Sequence, residues 1–223
     1  MKVLALETAS AACSVALWDD GPRASRFIAA ARGHAELLAP MIAEVLAEAG
    51  LEAGAVDRLA VTVGPGAFTG LRVGLAAARG LALATGRPLI GITTFEAIAY
   101  GLPAGARAGR RLLVAVESRR AELFLHGFDD SLAPLGEPAL LTPDDCASWL
   151  PPGPLLVAGD GAPSLRAALG GRPDTMFAEG SGLPDAAVVA RRAAALAPGA
   201  GLPPRPLYLR APDVSLPGGL KPC

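Results

Sequence analysis

The stretch that most limits what this chain can become is Gly64-Pro65-Gly66-Ala67-Phe68-Thr69-Gly70-Leu71-Arg72-Val73-Gly74. It joins an apolar, strand-like run, Leu59 to Val63, to a long Ala/Leu/Gly segment of helical character. Two glycines around a proline give a tight loop with positive φ available, and Thr69 is the predicted N-cap of the helix that follows. Phe68, one position earlier, is placed to pack on Val73 as a hydrophobic staple. Such a junction presents backbone N–H groups and a helix dipole that favour an anion. Read plainly, it is a well-made strand-to-helix turn.

The rest of the chain arranges itself around that junction. Val3 to Thr8, Cys13 to Trp18 and Arg23 to Ala30 read as three strands in a meander, with Asp19-Asp20-Gly21 as a hairpin turn. A helix follows in which Leu37, Leu38, Met41, Ile42, Val45, Leu46 and Ala49 share one wide face, with Glu44 and Glu48 opposite. Pro40 inside it predicts a kink or a nearby start, and Gly50 closes it. Then come a strand from Asp57 to Val63, the glycine loop, a helix from about Gly70 to Thr85, a strand from Leu89 to Ile92 and a short helix capped by Thr94. Strand, strand, strand, helix, strand, helix, strand, helix is the order of a ribonuclease-H-like unit, an α/β layer with parallel strands reached through helices. Sugar kinases, actin and Hsp70 chaperones duplicate that unit and hold ATP between two lobes.

The Gly/Pro/Arg stretch Pro103 to Arg111 is the predicted linker, giving a first lobe over residues 1–105 and a smaller second lobe over 106–223. Its strands are Leu112–Val116, Glu122–Phe128, Leu140–Leu141 and Leu155–Ala158. Thr142-Pro143 opens one short helix and another lies near Pro163–Leu169. Asp185 caps a last helix to about Leu196, and a Pro-rich tail follows in which Pro206-Leu207-Tyr208-Leu209-Arg210 is the ordered piece. The second half thus reads as a reduced copy of the first.

Composition removes several function classes. Formal net charge is −1 and the pI about 6.1, with Lys2 and Lys221 the only lysines. That balance argues against an autonomous nucleic-acid binder and leaves an assembled patch of Arg110, Arg111, Arg119 and Arg120 as its basic feature. Cys13, Cys146 and Cys223 have no metal-like or CxxC spacing, and an odd count without a signal peptide is expected of a cytoplasmic protein with free thiols. No apolar run approaches the length of a membrane span.

Chemistry-bearing residues are few. The loop lacks the lysine of a Walker-type phosphate loop, and Thr69 stands where GxGxxG needs its last glycine. Glu7-Thr8, at the end of the first strand, with Gly64, Gly66 and Thr69, are the residues that a nucleotide or phosphate in an interlobe cleft would meet. A ribonuclease-H-type metal cluster would have to borrow Glu36 or Glu117. His34 is followed four residues on by Leu38, so the helical two-His metal pattern fails. His126 stands alone, and Ser118 and Cys13 have no His partner. No metal and no catalytic residue is predicted. Gly70, Gly74, Ala78 and Ala82 recur every four residues beside Leu71 and Leu75. With Leu37, Leu38, Met41, Ile42 and Val45 they form the predicted protein-partner interface, because small residues let helices approach closely.

These residues carry a resemblance. VLALETAS at the N-terminus, GHAELLAPMI, GPGAFTGLRVG, ITTFEAIA and the tail's PLYLR together resemble the TsaB (YeaZ) family of bacterial tRNA threonylcarbamoyladenosine biosynthesis proteins. The resemblance implies the ASKHA fold, two ribonuclease-H-like lobes with the second reduced. It implies a non-catalytic scaffold for TsaD, the homologous subunit that modifies the adenosine beside the anticodon, with a TsaE-type ATPase recruited to the pair. Family members pair through the first two long helices, here about His34 to Ala49 and Gly70 to Thr85, and a homodimer is expected of the chain alone. tRNA is then met only through the complex, no cofactor is intrinsic, and ATP or ADP belongs at or near the complex interface. The alternative is a nucleotide-binding ASKHA module that uses its own cleft. Two positions depart from the family pattern: Glu7 replaces its frequent Asp, and Glu117-Ser118-Arg119 its Asp-Ala-Arg turn.

Overall fold

Strands β1 (Lys2–Glu7), β2 (Ala12–Asp19) and β3 (Pro22–Ala29) form the meander, followed by helix α1 (His34–Glu48), β4 (Arg58–Gly64), α2 (Phe68–Thr85) and β5 (Leu89–Thr93). These assignments come from a computed structural model of the protein, which describes residues 1–180 and 182–210; Cys223 and Lys221 lie outside them. The sheet order is β3-β2-β1-β4-β5. β1 runs antiparallel to β2, with Glu7 opposite Ser14, and parallel to β4, with Leu4 opposite Leu59.

Next come α3 (Thr94–Ala99), a short turn of helix α4 (Ala104–Arg107), then β6 (Arg111–Glu117), β7 (Leu123–Phe128), β8 (Ala139–Leu141), α5 (Pro143–Trp149), β9 (Leu155–Ala158), α6 (Arg166–Leu169), β10 (Thr175–Phe177) and α7 (Ala186–Ala195). The second sheet, β10-β9-β6-β7-β8, repeats the first: a central strand, two antiparallel strands on one side and two parallel strands on the other. Short α5, a 3₁₀ turn and α6 stand where the first sheet has long helices, which is the physical sense of a reduced copy. The fold is therefore the two-sheet ASKHA architecture.

Side-chain alternation fixes what lies on each face. Leu4, Leu6, Val15, Leu17, Leu59, Val61 and Val63 face α1 and α2 and form the larger core. Val3, Ala5, Ala16 and Ala60 face the other way and meet Ala186, Val189, Ala190 and Ala193 of α7. With both faces covered, the strands read as continuous apolar runs. Sequence order assigned the last helix to the second lobe; instead it closes the back of the first sheet, where alanines on both sides allow close approach. α3 is shared as well: Phe95 and Ile98 pack on the second sheet while Ala97 packs on the first.

α1 starts at His34 and continues past Pro40, which is exposed. Two local expectations change. Thr93, not Thr94, caps α3, in a capping box with Glu96. α2 starts at Phe68 after an extended Ala67, with no side-chain cap, so Thr69 lies within the first turn.

Arg58 anchors α7 to the sheet. Its guanidinium is buried and donates to the carbonyls of Ala193 at 2.6 Å and Leu196 at 2.9 Å, where the helix dipole favours a cation. Arg58→Met keeps the apolar stem but strands those acceptors, and is expected to cost about 1–3 kcal/mol. A denaturant midpoint equal to that of the unsubstituted chain would show that α7 holds its place by packing alone.

Candidate functional site

Two surfaces compete for function: the cleft between the lobes and the outer face of α1 and α2.

At the floor of the cleft lie Glu7 and Thr8, both buried. The Thr8 hydroxyl donates to the Gly70 carbonyl at 2.8 Å. Glu7 Oε1 accepts from the Ala9 amide at 2.5 Å and from the Thr62 hydroxyl at 3.4 Å, while Oε2 has no partner. Loss of water pushes the Glu7 carboxyl up to about 8, with Asp185 and Asp160 adding to the rise and the Ala9 amide opposing it. Asp160, whose carboxylate accepts from the Glu117 amide at 3.0 Å, is raised by burial too. A neutral, sealed Glu7 offers no charge to a metal or its water.

The glycines of the opening loop serve the same closure. A Cβ on Gly66 would lie 2.1 Å from the Ala9 carbonyl oxygen, and one on Gly70 only 2.0 Å from the Thr8 oxygen. Gly64 sits at φ +107°, a conformation that favours glycine, with the Leu207 carbonyl just above it. These residues let the loop press against the β1–β2 turn. Of the five residues suggested for nucleotide contact, Glu7, Thr8 and Gly64 are buried, whereas Gly66 and Thr69 reach the cleft cavity.

His34 belongs to that closure. Its Nε2 lies 3.1 Å from the Ser10 carbonyl and 3.0 Å from that of Ala12. Carbonyls only accept, so Nε2 carries the proton and ties the start of α1 to the β1–β2 turn. Leu38, one turn on, is buried in the core. Among the described residues no group of three or more His, Cys, Asp or Glu is placed to hold a metal ion. Cys13 is buried and its thiol is pushed up to about 11 by loss of water, so it is no nucleophile at neutral pH.

The outer helical face needs a correction. Gly70, Leu71, Gly74, Leu75 and Ala78 are buried under α2, and Leu38, Met41 and Val45 under α1. A Cβ on Gly74 would meet the Thr8 hydroxyl at 2.3 Å. The small-residue ridge faces the sheet, so it is unavailable to a partner. Leu37, Ile42 and Ala82 are partly covered, together with Leu46, Val73, Ala77 and Leu81. The exposed rows are different ones: Ala35, Ala39, Ala43 and Ala47 on α1, and Ala76, Gly80 and Ala84 on α2, with Leu83 88% exposed beside them.

Between the lobes, a cavity of about 830 Å³ opens beside these helices. Its walls are the starts of α1 and α2, the β6–β7 turn with Glu117 and Arg119, and residues 207–210 of the tail. That tail is a strap. Leu202 pairs with Gly91 of β5, Arg79 donates to the Pro204 carbonyl, and the Leu207 amide donates to Val63 at 2.7 Å. It then crosses to the second lobe, where Arg210 pairs with Glu122 at 2.7 Å. On its way Tyr208 stacks on Phe68, and Arg72 also lies over that ring. Sequence reasoning marked Pro206–Arg210 as ordered but missed this aromatic contact, although so few aromatics made each one informative.

A family model described as TsaD, tRNA N6-adenosine threonylcarbamoyltransferase, matches residues 28–152. The TsaB biosynthesis protein of Escherichia coli K12 is 39% identical over 125 residues, 56% of this chain and 53% of that protein, so the chain spans about half the length of that relative. An uncharacterised protein of Mycobacterium tuberculosis H37Rv is 35% identical over 217 residues, 96% of this chain and 93% of its own. The structure of YeaZ from Pseudomonas aeruginosa superposes with a TM-score of 0.79 at 30% identity, covering 93% of this chain and 99% of that one. With the two-sheet fold and the α1–loop–α2 region that carries the match, the chain belongs to the TsaB (YeaZ) branch of the tRNA N6-adenosine threonylcarbamoyltransferase family.

Proposed function

We propose that this chain is a non-catalytic subunit of the machinery that makes threonylcarbamoyladenosine in tRNA. It pairs with a TsaD-type catalytic subunit through α1 and α2, and the pair recruits a TsaE-type ATPase. The observation that carries the reading is that buried Leu38 stands four residues after His34, where a helical two-His metal pair needs its second His, and that Nε2 of His34 is spent on the fold. A chain of this family without that metal pair keeps the surface for assembly. ATP or ADP belongs at or near the complex interface rather than on a site built from Glu7, Thr8 and Gly64.

The α1–α2 face has a charge pattern suited to a homologous partner. α1 carries Glu36, Glu44 and Glu48 and neither Lys nor Arg; α2 carries Arg72 and Arg79 and no acid. Arg26 already balances part of α1 through Glu44 and Glu48. A two-fold or pseudo-two-fold pairing sets the acidic helix of one chain against the basic helix of the other. The alanine rows between them let backbones approach closely. The same logic supports a homodimer when the chain is alone.

Ala43→Arg and Ala76→Glu change exposed positions only. Each is expected to abolish co-elution with a TsaD-type subunit while leaving the melting temperature within a few degrees. Intact co-elution of both would sink the interface. Threonylcarbamoyl transfer by the purified chain without a TsaD-type subunit, in proportion to its concentration, would overturn the non-catalytic reading.

A further inference from the structure

We infer that the rim of the interlobe cavity contacts RNA directly: a single-stranded segment of the tRNA stacks a base on Tyr208 while its phosphates meet Arg32, Arg72 and Arg119. This rests on the tRNA reading above and goes beyond it, since that reading leaves all RNA contact to the assembled complex.

The stacking platform is already built. The Arg72 guanidinium lies 3.7 Å from the Phe68 ring centroid, Phe68 and Tyr208 have centroids 5.6 Å apart at 29°, and Arg72 Nε donates to the Tyr208 hydroxyl at 3.3 Å. The three groups form one connected cluster, yet Phe68 remains 50% and Tyr208 43% exposed. Aromatic faces held rigid in water lose little freedom when a base settles on them, and every base offers a π-face.

Two of the cations around it are uncommitted. Among the described residues the side chains of Arg32 and Arg119 make no hydrogen bond, ion pair or ring contact, and both line the cavity. Arg119 sits at φ +60° in the turn leaving β6, a conformation that costs a non-glycine residue energy. Arg210, paired with Glu122, also lines the cavity, and Arg72 lies beside it over Phe68, against Glu36 and Glu117. Glu36 and Glu117 share the lining with Arg32, Arg119 and Arg210, so the cavity is of mixed charge. An extended RNA strand can set its phosphates on the arginines and a base on Tyr208, whereas a compact free nucleotide would bring its phosphates close to the carboxylates. A near-neutral chain overall is compatible with a contact of two or three phosphates.

The test is fluorescence anisotropy of a labelled, unmodified tRNA anticodon stem-loop, titrated with the full chain at several salt concentrations. Saturable binding is expected, displaced by single-stranded oligonucleotide and not by duplex, with a slope of log K against log salt near about −2. Tyr208→Ala is expected to weaken it about ten-fold while Tyr208→Phe leaves it near the parent value, and Arg119→Ala to flatten the slope by about 0.7. Thermal melts and co-elution with a TsaD-type subunit are run on the same preparations. Lost RNA binding with retained co-elution supports the inference and leaves the partner reading standing. No binding at low salt, equal binding by Tyr208→Ala and the parent, or full displacement by ATP overturns it. Co-elution lost only in Tyr208→Ala, with no RNA bound by the parent, assigns the rim to a protein contact and also overturns it.

Discussion

Gly70→Ala is expected to be among the most damaging single changes in this chain, costing more than about 3 kcal/mol. Within a helix, Gly to Ala ordinarily stabilises by roughly 0.5–1 kcal/mol. Here the new methyl would lie 2.0 Å from the Thr8 carbonyl oxygen, which is backbone and pinned by the turn it belongs to. Relief requires α2 to lift off the β1–β2 turn, which breaks the Thr8–Gly70 hydrogen bond and opens the cleft floor. Gly80, on the exposed side of the same helix, has nothing near a Cβ, so Gly80→Ala is expected to stabilise by the ordinary increment. The two variants differ in sign because one glycine keeps a distance and the other does not. Chemical denaturation of both checks it, and a Gly70→Ala variant as stable as Gly80→Ala would show that the loop and turn are not in firm contact.

Glu7→Gln is expected to raise stability at alkaline pH. In the unfolded chain the Glu7 carboxyl titrates near 4.5, whereas burial lifts it to about 8 in the folded protein. The folded state therefore holds the proton more tightly. Stability from this residue is full below pH 4.5 and declines as pH rises towards 8, after which the loss is constant. Over that window the loss is on the order of 3–5 kcal/mol. Asp160 is shifted in the same direction, so the informative quantity is the difference between variant and parent. The glutamine side chain does not titrate, so the melting temperature of Glu7→Gln is expected to match the parent near pH 4.5 and exceed it by several degrees at pH 8. A parent chain that gains stability relative to Glu7→Gln as pH rises would mean that Glu7 is ionised and engaged, reopening the cleft as a charged site.

Much of the fold could be read from the chain because it is encoded locally. Leu4 and Leu6 alternate with Val3 and Ala5, which gives a strand buried on both sides, and Gly50 and Gly86 stop their helices where positive φ is needed. The Thr142 cap and the Asp185 cap are equally local. What escaped is set by residues far apart in sequence. Arg58 holds α7 across 135 positions, and nothing around Arg58 foretells it. The row Gly70, Gly74, Ala78 was read as a partner surface because small side chains announce close approach. They do not say what approaches, and at the two glycines it is Thr8 and Val61 of the same chain. The exposed alanine rows only emerge once the buried face is known. The Thr69 cap failed because the helix already begins at Phe68, after the extended Ala67. Phe68, Arg72 and Tyr208 were each visible as residues, but the strap brings them together.

The return of α7 to the back of the first sheet has a consequence in time. A ribosome that has released residues 1–105 has delivered every strand of that sheet but not the helix that covers Val3, Ala5, Ala16 and Ala60. Until residues 186–195 emerge, one side of the nascent sheet is open to water and to other chains, and the strands are short of their final stability. The first sheet is therefore completed only once α7 has been made, long after its own last strand. A stop codon anywhere before α7 leaves a sticky half-sheet instead of a usable small domain.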